Sequence, residues 1–140
     1  LLITASMSLA TAAVATGAIA DYVALAAATE VPAAVVIAAM LLSQLLPAMV
    51  GVHPIISGTV VLAALTSQPL TVAPLLLFQA MVAGWALGTM ISMSAISVVT
   101  SASMFNIPPH HLAYGRNLPY ALAVAGLVVA VLSGLDALLA

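Results

Sequence analysis

Leu46-Pro47-Ala48-Met49-Val50-Gly51-Val52-His53-Pro54 puts two prolines and a glycine where an otherwise unbroken apolar run barely pauses. Proline removes a backbone donor and clashes with the preceding helical turn, so a straight continuous helix does not pass through this stretch. A break or sharp turn is expected over 47–54, and the organisation of the chain follows from it.

Upstream, the apolar run predicts a helix over 32–50, with Thr29 as a cap and Pro32 in its first turn. Before it, residues 1–20 form a span rich in Ala, Ser and Thr, closed by Asp21 and Tyr22, which suit the headgroup level. Downstream, 55–67 is a short or broken apolar arm ahead of Ser67-Gln68-Pro69. Residues 74–104 form a long span with a GxxxG at Gly84-Trp85-Ala86-Leu87-Gly88, extended by Ala80 and Ser92 into a small-residue ridge suited to close helix approach. Hydroxyls crowd its second half, so it reads as a hairpin with a break near 92–97. Phe105 to His111 reads as a loop, followed by an interfacial anchor of Tyr114, Arg116 and Tyr120 and a last span over 118–139 carrying Gly126, Ala130 and Gly134.

The balance of residue types agrees. Of 140 residues, 66% are hydrophobic and 3% charged, with a mean hydropathy of +1.37. A water-soluble domain needs roughly a quarter of its residues charged. The expectation is an all-α integral membrane protein: a polytopic helical bundle forming a single transmembrane domain over 1–140, with the lipid bilayer as its first partner. Net charge −2 with one basic residue excludes a nucleic-acid binder. The absence of cysteine removes disulfides, thiolate metal sites and cysteine nucleophiles. No HExxH, GxSxG or spaced histidine pattern is present, so the chain reads as a non-enzyme. It opens Leu1-Leu2-Ile3, which reads as a segment of a longer protein.

Broken helices survive in lipid only where they are buried in protein or line a cavity, and paired interruptions are the best sequence pointer to a transporter's site. The two interruptions here are 47–54 and 92–103. In the second, Ser94, Ser97 and Ser101 fall at i, i+3 and i+7 and would share one face if helical, flanked by Thr89, Ser92 and Ser103. Hydroxyls both donate and accept, so they suit a carboxylate or a hard cation. The bland alternative is back-bonding to the i−4 carbonyl. His53 reads either as a proton-coupling group or as a helix cap. His110 and His111 read as solvated loop residues, Gln44 and Gln79 as interhelical hydrogen-bonders, and Asp21, Glu30 and Asp136 as snorkelling span ends.

This arrangement resembles the C-terminal repeat of the ion transporter superfamily, which includes the large membrane subunits of TRAP transporters and the divalent-anion/sodium symporters. Leu45-Leu46-Pro47 through Gly51-Val52-His53-Pro54-Ile55-Ile56-Ser57-Gly58 is similar to the Pro-containing helix and Gly-x-Asp-Pro-x-x-x-Gly stretch of TRAP large subunits, with His53 at the acidic position. Gly88-Thr89-Met90-Ile91-Ser92-Met93-Ser94-Ala95-Ile96-Ser97 occupies the place of the break in the family's second hairpin. Phe105-Asn106-Ile107 with Arg116 and Pro119 follows like its closing loop and last helix. The family's Thr-Pro-Pro and the symporters' Ser-Asn-Thr are absent.

The resemblance implies one half of an inverted-repeat, elevator-type secondary transporter for a small organic or inorganic anion, most simply a carboxylate, coupled to Na+ or H+. The substrate and ion site would comprise Gly51, His53, Pro54, Thr89, Ser92, Ser94 and Ser97, with Na+ held by Ser92, Ser94 and backbone, and no transition metal. Its partners would be an N-terminal half, a second copy as a homodimer, and a small subunit or substrate-binding protein. A bacterial inner membrane is the expected location, with the Arg116 side cytoplasmic. Two rivals stand beside it: a channel or permease subunit with a Ser/Thr-lined pore, and a non-transporting membrane scaffold.

Overall fold

The computed structural model describes residues 31–66 and 72–139, so the expected first span at 1–20, the Asp21-Tyr22 and Thr29-Glu30 features, and Gln68-Pro69 lie outside the described residues. The described residues are helical, with no strand among them. The elements are α1 (Ala33–Met49), α2 (Pro54–Thr66), α3 (Pro74–Ile91), α4 (Ile96–Met104), a π-helical segment (His111–Asn117) and α5 (Leu118–Leu139).

Prolines set three of the starts. Pro54 and Pro74 open α2 and α3 at positions where the missing N–H has no intrahelical acceptor to lose. Pro32 is the residue before α1 rather than part of its first turn, and its carbonyl receives the N–H of Val35 and Val36. Pro47, by contrast, is carried inside α1, and the helix continues to Met49 before it stops. The loop expected over 105–111 is shorter than its sequence suggests, because the chain is helical again from Pro109 and runs on into the π segment at His111.

Glycines fix how the helices lie. Gly58 of α2 and Gly84 of α3 both abut Gln44 of α1, while Gly88 of α3 abuts Pro54 and Ala48. Matching these levels makes α3 parallel to α1 and α2 antiparallel to both. At the other edge, Asn117 reaches Met90 near the end of α3, and Asp136 reaches Ala73 just before its start, so α5 runs antiparallel to α3. The Asp136 carboxylate accepts the Ala73 N–H at 3.2 Å at an N-terminus, where negative charge is favoured. Asp136, expected from sequence as a snorkelling span end, serves here as a cap for α3.

The core lies between α1, α3 and α5, around Ile37, Met40, Leu41, Leu45, Leu77 and Ile91. α4 meets only α3, sparsely, and the π segment among the described residues. The stretch 74–104 is two helices, α3 and α4, separated at residues 92–95. Among the described residues, two segments are long and apolar enough to cross a membrane: Pro74–Met104, of 31 residues, and His111–Leu139, of 29. In α5 only Ala121 and Leu132 are buried, and Leu122, Leu127, Val131, Leu135 and Leu138 face outward.

Candidate functional site at the junction of two helix breaks

The first break closes on itself. The Gly51 N–H donates to the Ala48 carbonyl at 3.0 Å and the Val52 N–H to the Pro47 carbonyl at 3.0 Å, the paired bonds of a Schellman stop. Gly51 sits at the left-handed position of that motif with φ +88°, a conformation that costs an L side chain about 1–2 kcal/mol. Two carbonyls of the break then remain for tertiary partners. Met49 accepts the Tyr114 hydroxyl, and Gly51 accepts the Ser94 hydroxyl at 3.2 Å. The same stop recurs after α4, where Asn106 (φ 52°) takes the left-handed place and Ile107 N–H bonds the Ala102 carbonyl at 3.0 Å.

The second break has no such device. α3 ends at Ser92 in an extended conformation (φ −81°, ψ 120°), the chain turns with Ala95 N–H on the Ser92 carbonyl at 3.2 Å, and α4 starts with no side-chain cap. Side chains hold this turn instead. Ser92 is 3% exposed, and its hydroxyl lies 3.1 Å from that of Ser94. Since Ser94 donates its one proton to Gly51, Ser92 donates to Ser94, giving a chain from Ser92 through Ser94 to the Gly51 carbonyl. Asn117 Nδ2 donates to the Met90 carbonyl at 2.7 Å, in the last turn of α3.

Two interruptions 43 residues apart in sequence therefore meet. Of the residues singled out from sequence, Gly51, Ser92 and Ser94 are joined directly. Pro54 is buried against Gly88 beside them. His53 is exposed, and its Nδ1 accepts the Ile55 N–H at 3.4 Å, the capping role weighed from sequence. Thr89 bonds back to Ala86 at 2.7 Å. Ser97 is exposed on α4, and no hydrogen bond ties it to the cluster among the described residues. Ser94 lies in the turn, so Ser94, Ser97 and Ser101 do not form one helical face; Ser97 and Ser101 alone share one.

Two further features differ from the expectation. Tyr114, taken for an interfacial anchor, points its hydroxyl inward to α1, and Asn117 was not singled out at all. Pro119 held the signal: a proline lacks the N–H for the i−4 carbonyl and clashes with it, and a π turn just before it relieves that clash. Gln44 is the second. It is 0% exposed, with Nε2 3.4 Å from its own i−4 carbonyl at Met40 and Oε1 without a partner, so it does not bridge helices by hydrogen bonds; Gln79 is exposed. The amide fits because two glycines admit it: a Cβ on Gly58 would lie 2.6 Å from Oε1, and one on Gly84 would overlap Nε2.

The chemistry of the junction is that of opposed helix ends. The carbonyl ends of α1 and α3, partially negative, and the starts of α2 and α4, partially positive, converge on a hydroxyl chain. His110 and His111 stack edge-to-face at 4.5 Å, and no group of three His, Asp or Glu side chains that could hold a metal exists among the described residues. Comparison of the chain with protein-family models, with curated proteins and with solved structures finds no match.

Proposed function

We propose that this chain is a membrane-embedded part of an ion-coupled secondary transporter for a small anion, with its site at the junction of the two breaks. The observation that carries the reading is the Ser94-to-Gly51 hydrogen bond, which brings two helix interruptions into one place. Irregular backbone of this kind is tolerated in lipid only where protein or a water-filled cavity surrounds it. The large apolar side chains exposed along α5 make an outward face that lipid would cover and water would not tolerate.

In this reading the anion, most simply a carboxylate, approaches the uncapped start of α4 and the Ser94 and Ser97 hydroxyls. A coupling Na+ approaches the carbonyl ends, with Gly51 O and the Ser92 and Ser94 hydroxyls as oxygen ligands. Gly51 supplies the left-handed turn that presents its carbonyl to Ser94, Pro54 fixes the start of α2 against Gly88, and His53 caps that start. Proton coupling would instead work through His53. A homodimer, a second half and an elevator motion belong to the same proposal, as does a bacterial inner membrane.

The test is uptake of labelled carboxylates by the full-length protein in liposomes under imposed Na+ or proton gradients. Saturable uptake that needs one gradient and falls at least tenfold in Ser94→Ala supports the reading. Gradient-independent, unsaturable flux means a pore. Absence of uptake, with normal assembly in Ser94→Ala, means a scaffold whose small residues serve packing alone.

A further inference from the structure

Tyr114 and Asn117 belong to the same seven-residue π segment, yet they take carbonyls from two different helices. Tyr114 reaches 65 residues back to Met49, in the last turn before the first break, and Asn117 reaches 27 residues back to Met90, in the last turn before the second. Both acceptors belong to the C-terminal group of carbonyls that a helix cannot satisfy internally. Each side chain is partly buried, so water is a poor substitute for it.

The segment that presents them is itself wound out of register. A single π turn inside a helix shifts the facing of every side chain beyond it, and such turns concentrate where function needs an odd geometry. Gly115 lies between the two residues and meets no neighbour, while Arg116 is exposed, so among the described residues the Tyr114 and Asn117 side chains tie this segment to the breaks by hydrogen bonds. The π segment continues directly into α5, whose far end holds the start of α3 through Asp136.

We infer that the π segment His111–Asn117 is a clamp on the two breaks, with Tyr114 and Asn117 as positioning residues that set the separation of the α1 and α3 carbonyl ends and so hold the Ser94–Gly51 junction closed. Movement of α5 is thereby transmitted to both breaks at once. The inference rests on the transport reading for its purpose, since the junction is then the site being opened, but the mechanical coupling is testable without it.

Single cysteines at Ala48 and Ile91, both buried and one just before each break, report opening in the full-length protein reconstituted in lipid, where this region supplies no background thiol. Leu77→Cys, buried at the other end of α3, reports general unfolding. Membrane-impermeant maleimide is added from each side in turn. A clamp predicts that Tyr114→Phe and Asn117→Leu each raise labelling at both Ala48→Cys and Ile91→Cys by about fivefold, the factor that one ordinary hydrogen bond confers on an opening equilibrium, with Leu77→Cys unchanged. If Tyr114→Phe moves only the Ala48 reporter and Asn117→Leu only the Ile91 reporter, the two residues are separate local caps and the clamp is wrong. A second readout does not depend on solvent access: the shifts in thermal midpoint of the two variants should be non-additive when combined, and strict additivity overturns the clamp. Reporters that never label from either side, together with non-additive midpoints, would remove the transport site and leave the clamp standing.

Discussion

The two breaks end their helices by opposite means. At residues 50–53 the stop is written in the local backbone: a glycine takes a left-handed turn, and the chain satisfies its own carbonyls at Pro47 and Ala48. At residues 92–95 there is no glycine, no proline and no left-handed residue; Ser94, backed by Ser92, reaches across the fold to Gly51, and Asn117 holds the Met90 carbonyl just before the turn. The backbone turn of the first break is set locally, whereas the turn of the second leans on side chains. A locally coded stop carries its own hydrogen bonds, whereas a stop held by side-chain hydrogen bonds is lost when those side chains are removed. On the transport reading, the second break would be the more readily rearranged side of the junction, although the clamp ties both breaks to α5.

The harshest way to break the pairing is to force the two regions apart. In Gly88→Val the added Cβ would stand 2.7 Å from Pro54 Cγ, against a ring that cannot rotate away, so a loss of about 3 kcal/mol is expected, read as a fall in the thermal midpoint in detergent. Gly51→Ala should cost about 1–2 kcal/mol through its φ of +88° alone, while Asn106→Gly, at the twin stop with φ 52°, should be neutral or mildly stabilising by the same measurement. Asn117→Leu strands the Met90 carbonyl and should cost about 1–2 kcal/mol. Ser94→Ala should cost only about 0.6 kcal/mol, typical of a hydrogen bond between helices in lipid, and Ser97→Ala, with no bond to the cluster, less still. A Ser94→Ala cost equal to that of Gly51→Ala would erase the contrast between the breaks.

What could be read in advance follows the same division. The first break was legible because a Pro-x-x-x-Gly-x-x-Pro pattern has one local meaning, although its details required coordinates: Pro47 lies within the helix and Gly51 makes the stop. The second announced itself only as a crowd of hydroxyls. Their helical periodicity suggested a face, but Ser94 sits in a turn, because a helix end set by tertiary partners leaves no local mark. The GxxxG at Gly84 and Gly88 was legible as a close approach, while its partners, Gln44 and Pro54, were not. Tyr114 and Asn117 stayed hidden because the π turn shifts which side chains face inward, and only Pro119 hinted at it.

The most direct measurement puts a single cysteine at Ser94 in the full-length protein, in lipid, and follows its reaction with an impermeant maleimide with and without Na+ and a panel of carboxylates. If the second break is the movable side of a binding site, Ser94→Cys labels from one face, Leu87→Cys does not, and one ion and one anion together suppress the labelling. If Ser94→Cys never labels from either face under any condition, the junction is packed protein, and the breaks are architecture rather than a site.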